Sequence, residues 1–213
     1  MSLLITAAIA AELEPLASHL GAQAIEGGWQ GDGLILAPLG IGPLEAALGL
    51  TKWAQEGVDQ VIFTGSAGVY PGVDLEVGQL VAADWTTLYD GAAVLGQAHF
   101  ALLQDYARLK AGPESYGLER VGVATGLAVT RSRSLGQALA QATGAEVENL
   151  ELYGLALAAA RLGLLWSSVL GITNRVEEGS QDQWKQNYPR LAQSVCNHLA
   201  DWLAGPAERL SKR

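Results

Sequence analysis

Two stretches of the chain hold residue types that could meet a ligand. The first is residues 60–68, QVIFTGSAG. Val61, Ile62 and Phe63 form a continuous apolar run, which fits a strand buried on both faces. Thr64, Gly65, Ser66, Ala67 and Gly68 follow, all of them small, and small side chains let a second molecule approach the backbone closely. Ligands of open α/β sheets bind outside the carboxyl ends of the strands. Residues 64–68 therefore read as a ligand loop, although a tight strand exit with no ligand fits them as well. The second is Glu12, at the junction between an apolar strand over residues 3–8 and a helix beginning near Ala10. Its carboxylate falls at the same sheet edge as the other strand exits. It also fits a solvated acid favoured by the positive end of a helix.

The elements that must position these residues alternate. The helix after Glu12 places Leu13, Leu16 and Leu20 on one face, with Pro15 in its first turn. A strand over 33–37 ends at Leu39-Gly40-Ile41-Gly42-Pro43 and leads to a helix over 44–53. Gly40-x-Gly42 is half of a dinucleotide fingerprint, but Glu45 stands where the third glycine belongs. Further strands read at 77–82, 120–124 and 166–172, ending at Asp84, Thr125-Gly126 and Thr173-Asn174. Residues 145–148 form a short extended segment. Helices read at 134–142, 150–162 and 186–203, the last with Leu191, Val195, Leu199 and Trp202 at helical spacing. Residues 91–116 show no clear period, and 99–110 fit a short helix or a lid. The alternation predicts one α/β domain over residues 1–213, with a central, mostly parallel, twisted mixed sheet flanked by helices.

Composition narrows the function. The chain has 213 residues, 49% hydrophobic and 16% charged, which suits a folded domain. A net charge of −9 argues against nucleic acid as a partner. The single cysteine, Cys196, and the scattered histidines His19, His99 and His198 give no metal-ligand spacing, so no metal is expected. No stretch has the length of a membrane span, and Glu12 and Glu14 interrupt the apolar N-terminus, so no signal peptide and a cytoplasmic location are expected.

Six motifs, in order, resemble the nucleoside phosphorylase and nucleosidase superfamily. They are AAIAAELEPL at 7–16, Gly40-Ile41-Gly42 before an alanine-rich helix, TGSAG with VGQLV at 77–81, Ala124-Thr125-Gly126, VENLE at 147–151, and Gly171-Ile172-Thr173-Asn174. The resemblance implies roles. Glu12 would activate the attacking water. Ser66, Ala67 and Gly68 would lie beside the sugar and water, with Ile41 and Thr173 also in the substrate site. Val129 and Thr130 would border the base. Leu150 would pack under the ribose, Glu151 would bind its 2′- and 3′-hydroxyls, and Asn174 would meet the purine. The family is commonly homodimeric and this reaction implies no cofactor.

Within the family, water is the more plausible nucleophile than phosphate. A phosphorylase holds a phosphate dianion, and arginine suits that geometry. Here no arginine precedes Arg108, and Lys52 is the only lysine before it. A carboxylate such as Glu12 suits both a general base and stabilisation of a cationic sugar. Adenine-specific nucleosidases carry aspartate where this chain has Asn174. An asparagine amide offers a donor and an acceptor together, which matches a 6-oxopurine. The stretch Asn174-Arg175-Val176-Glu177 with Trp184, and VENLE, look like futalosine hydrolases, which release hypoxanthine from futalosine in a menaquinone pathway. The alternatives are a methylthioadenosine/S-adenosylhomocysteine nucleosidase and a nucleoside-binding protein without turnover. Two departures stand out. Leu170 sits where adenine-type enzymes carry an arginine that helps orient the ribose glutamate, and Leu150 replaces the usual methionine.

Overall fold

Apolar residues on successive strand positions point to opposite faces, and in this chain both faces are covered. The computed structural model describes residues 2–101 and 107–205. Strand β1 (Ser2–Ala7) carries Leu4 into one apolar cluster and Ile5 into another. β5 (Val58–Val69) does the same, with Val61 and Phe63 on one side and Ile62 on the other. Helices α2 (Pro43–Ala54) and α5 (Leu152–Leu162) pack together on the first face. Helices α1 (Glu14–Leu20) and α6 (Ser180–Leu203) pack together on the second.

Among the described residues the sheet has ten strands and is mixed, as expected. β1 runs parallel to β4 (Leu34–Pro38) and to β5, and β5 runs parallel to β10 (Leu165–Arg175). β6 (Leu80–Leu88), β8 (Glu119–Thr125) and β9 (Val147–Glu148) form a second parallel group. It joins the first through antiparallel pairs of β6 with β10 and of β9 with β5. α4 (Arg133–Thr143) is capped by the Ser132 hydroxyl, which accepts from the Leu135 N–H.

Several boundaries differ from the sequence reading. Residues 64–68 are not a loop. They continue β5 as far as Val69, because β10 pairs with them from Val169↔Thr64 to Arg175↔Val69. β10 likewise runs through Thr173 and Asn174 and does not end before them. Two short strands, β2 (Gln23–Ile25) and β3 (Gly28–Gly31), form a hairpin that periodicity did not reveal. β2 is exposed throughout and too short to show a pattern, while Gly27, at φ 81°, makes the turn. The first helix does not start at Ala10. A 3₁₀ turn, Ala10–Glu12, comes first. α6 begins at Ser180 and not near 186, so Trp184 belongs to it. Between 91 and 116 lie the short helix α3 (Gly91–Val94) and the two-residue strand β7 (Leu109–Lys110), which pairs with β6. Of the helix or lid read at 99–110, residues 102–106 lie outside the described residues.

The two helices of the first face touch backbone to backbone at one point. A Cβ on Gly154 of α5 would stand 1.9 Å from the Pro43 carbonyl oxygen at the start of α2. Backbone cannot yield as a flexible side chain would. Gly154→Ala is therefore expected to lower stability by about 1–3 kcal/mol, as overpacked cores do. Thermal denaturation of the variant checks this.

Candidate active site

The carboxyl ends of the strands and the segments that leave them enclose a cavity of about 270 Å³. Glu12 reaches it from the 3₁₀ turn after β1. Ile41 enters from the β4–α2 connection, Ser66, Ala67 and Gly68 from β5, and Val129 from the segment after β8. Glu148 through Glu151 enter from β9 onward, Thr173 and Asn174 from β10, and Ser180, Gln181 and Trp184 from α6. Among the described residues, no lysine or arginine lines it.

Glu12 is buried, at 6% exposed. Its Oε2 accepts a long hydrogen bond, 3.4 Å, from the Ile9 N–H. Burial pushes its carboxyl up to about 7. The Ile9 N–H opposes the shift, and the nearby Glu151 charge adds to it. The turn is anchored from behind by the Cys196 thiol, which donates to the Glu12 carbonyl oxygen at 3.2 Å. Gly65 lies beside this carboxylate: a Cβ there would stand 3.8 Å from Glu12 Oε1, in ordinary contact, and 3.3 Å from the Phe63 ring.

Glu151 stands at the N-cap of α5 and is also buried. Its Oε1 accepts from the Gly42 N–H at 2.9 Å, and its Oε2 accepts from the Asn149 amide at 3.0 Å. Gly42 adopts φ 88°, a conformation suited to glycine, and this turns its N–H toward the carboxylate. Burial raises the Glu151 pKa, and the Gly42 and Asn149 hydrogen bonds oppose that rise. Asn149 does more than hold Glu151. Its Oδ1 accepts from the N–H groups of Glu151 and Leu152, capping the start of α5, and its amide also lies 3.0 Å from the Ser66 carbonyl oxygen.

Asn174 sits opposite Gly68 in the β5–β10 ladder. A Cβ on Gly68 would come within 2.9 Å of Asn174 Nδ2, so only glycine leaves room for the amide. The amide nitrogen donates to the Arg175 carbonyl oxygen at 3.2 Å, and the Thr173 hydroxyl lies 2.8 Å from Oδ1. Among the described residues, one N–H and one oxygen lone pair of Asn174 are left without a partner. Trp184 donates its Nε1–H to the Ser66 hydroxyl at 3.1 Å and stacks on Tyr188.

A profile of the Phosphorylase superfamily matches residues 3–204. The chain belongs to that superfamily. A futalosine hydrolase of Thermus thermophilus is 28% identical over 191 residues, covering 82% of this chain and 84% of the relative. Two solved Helicobacter pylori proteins share the fold. The first is a 5′-methylthioadenosine/S-adenosylhomocysteine nucleosidase in complex with a substituted pyrrolidin-3-ol, with a TM-score of 0.84, 16% identity and coverage of 97% and 99% of the two chains. The second is a native futalosine hydrolase, with a TM-score of 0.84, 17% identity and coverage of 97% and 98%.

Five of the six superfamily motifs supply lining residues, Ala124-Thr125-Gly126 being the one that does not, and of the site residues expected from the sequence all but one line the cavity. Glu12, Ile41, Ser66, Ala67, Gly68, Val129, Leu150, Glu151, Thr173 and Asn174 all line it. Thr130 does not. It is buried, and both its N–H and its hydroxyl donate to Glu148. Tyr89 and Tyr70 donate to the same carboxylate, at 2.7 and 3.4 Å. Burial and that carboxylate hold both phenols well above their usual pKa. Thr130 thus fastens Val129 to the cavity rim. Leu170 is fully buried in the apolar core opposite Gly65, away from the cavity lining. The orienting groups for Glu151 are Asn149 and Gly42.

Sequence reasoning missed Asn149, Glu148, Ser180 and Gln181. For Asn149 the signal was present, since an Asx residue just before a helix, here three positions ahead of Leu152, is a capping pattern.

Two measurements test these arrangements. The Glu12 carboxyl titrates near 7 in the fold against about 4.5 ordinarily. The folded state then binds more protons than the unfolded chain between those values. Its stabilising contribution is complete below about 4.5 and is lost as pH rises through about 7. Relative to wild type, Glu12→Gln should gain about 3 kcal/mol between pH 4 and pH 8, read by denaturant unfolding at both values. Asn149→Ala removes a cap and a partner of Glu151 together, and should cost about 1–3 kcal/mol in the same assay.

Proposed function

We propose that this chain hydrolyses the N-ribosidic bond of a purine nucleoside whose base carries a 6-oxo group, futalosine in particular, with release of hypoxanthine. Kinship with a futalosine hydrolase inside the Phosphorylase superfamily makes it an N-glycosyl hydrolase. The observation that carries the finer reading is the pairing of two buried carboxylates, Glu12 and Glu151, in one cavity whose lining, among the described residues, holds no lysine or arginine.

The chemistry follows from charge. As the bond between C1′ and the base nitrogen breaks, positive charge grows on the ribose and negative charge on the base. Two carboxylates stabilise the first. A cation to hold phosphate, which a phosphorolytic reaction needs, is missing from the lining residues. Water is therefore the nucleophile. Glu12, titrating near 7, is partly ionised at neutral pH and can accept the proton of the water as its oxygen bonds to C1′. Glu151, held by Gly42 and Asn149, accepts from the ribose hydroxyls. The free N–H of Asn174 donates to the 6-oxo oxygen. The proton that Glu12 takes from the water passes through solvent to N7 of the leaving base, and the free lone pair of Asn174 accepts from the N7–H so formed. An adenine presents the opposite pattern at C6, so the site disfavours it.

Chromatographic assay of base release from futalosine, inosine and methylthioadenosine tests this. Hypoxanthine should appear from futalosine, and Glu12→Gln should lower its rate roughly 100-fold or more. Adenine release from methylthioadenosine at a comparable rate would mean that Asn174 does not select the base. The kcat/KM profile should rise with pH through about 7, where Glu12 loses its proton. An acidic limb near the ordinary carboxylate range would remove Glu12 as the base.

A further inference from the structure

Trp184 lines the cavity yet has no part in the chemistry above. It lies on α6, which packs on β5 and β10. Its indole is fixed twice. The Nε1–H donates to the Ser66 hydroxyl at 3.1 Å. The ring stacks on Tyr188, one helical turn on, with centroids 4.9 Å apart and planes at 23°.

Strand alternation says where the Ser66 side chain points. On β5, Phe63 and Ala67 belong to one apolar cluster and Ile62 to the other. Ser66 is in step with Ile62, so it points to the face that α6 covers. Glu12 is tied to the same face, since its carbonyl oxygen accepts from Cys196 of α6. Beside the main cavity lies a smaller space of about 10 Å³ that Glu12, Ser66 and Tyr188 line and that Asn174 and Glu151 do not. Ser66 therefore stands on the Glu12 side of the site. Its Oγ accepts from Trp184 and has no other hydrogen-bond partner among the described residues. A hydroxyl rotates to suit its partners. With one lone pair engaged by the indole, the Ser66 O–H is confined to directions away from Trp184.

We propose that Trp184 is a positioning residue for the attacking water: its indole N–H fixes the Ser66 hydroxyl so that the Ser66 O–H donates to the oxygen of the water that Glu12 deprotonates. This rests on the nucleosidase reading above. The water has two lone pairs. One attacks C1′, the other accepts from Ser66, and one proton goes to Glu12.

The test follows base release by the full chain from futalosine, or from whichever of inosine and methylthioadenosine wild type hydrolyses. Trp184→Phe keeps a ring to stack on Tyr188 but has no N–H. Trp184→His loses the six-membered ring but keeps a donor, since imidazole Nε2 stands where indole Nε1 does in the five-membered ring. Trp184→Phe should lower kcat about 5- to 50-fold with KM within about threefold, because the water and not the nucleoside loses its holder. Trp184→His, assayed near pH 8 where imidazole is neutral, should stay within about threefold of wild type in kcat. In a Ser66→Ala background, Trp184→Phe should change kcat by less than about twofold, because the hydroxyl it holds is gone. Equal falls in both backgrounds, or full activity of Trp184→Phe, would overturn the proposal. So would a rise in KM with kcat unchanged, which would make the indole a wall for the substrate. If Trp184→His does not fold, Trp184→Phe in the two backgrounds decides alone. Wild type that releases no base from any of the three nucleosides would sink the nucleosidase reading and this proposal with it, whereas active wild type with an unimpaired Trp184→Phe sinks the proposal alone.

Discussion

Two carboxylates buried in one cavity repel each other and resist losing water, and the rest of the site is built around that difficulty. Glu12 responds by holding its proton up to about 7. Glu151 is instead surrounded by donors, one from the Gly42 backbone and one from the Asn149 amide. Among the described residues, no lysine or arginine in the lining relieves either group. An acidic site of this kind has its electrostatic partner in whatever positive charge appears inside it. A ribose losing its base supplies such a charge at the moment it is needed.

The β5–β10 ladder sets the geometry on which this depends. It places Ser66–Gly68 beside Thr173 and Asn174 in fixed register, so these cavity-lining residues sit on paired backbone. Sites built on strands hold their groups more exactly than sites built on loops. The small residues of β5 have a packing reason as well as a ligand reason. Gly68 makes room for the Asn174 amide, and Gly65 packs against the Phe63 ring beside Glu12. On the far side, Glu148 gathers Thr130, Tyr89 and Tyr70 and steadies the rim that carries Val129.

Much of this could be read along the chain. The apolar run at 61–63 marked a central strand because burial on both faces leaves no polar alternation. Glu12 and Asn174 stood out by their places at strand exits, and Pro15 announced the first helix. The hairpin formed by β2 and β3 escaped notice because its strands are short and largely exposed. Residues 64–68 looked like a loop because glycine and serine usually end strands. Pairing with β10 overrode that local preference. Leu170 looked like a lost functional group in sequence, yet in the fold it is core, and the work of orienting Glu151 falls to a residue two positions before that glutamate.

By itself the sequence determined the alternation of strands and helices, the acidic balance that argues against nucleic acid, and which residues of chemical interest lie at the sheet edge. These come from periodicity, charge and local turn chemistry, which are short-range properties. Only the tertiary structure decided that Glu12 and Glu151, far apart in the chain, share one cavity, and that Glu12 titrates near 7. It alone turned Thr130 toward Glu148, made Asn149 the partner of Glu151, and joined Trp184 to Ser66. Desolvation and hydrogen-bond satisfaction depend on every element packed around a group. No single stretch of sequence contains that information.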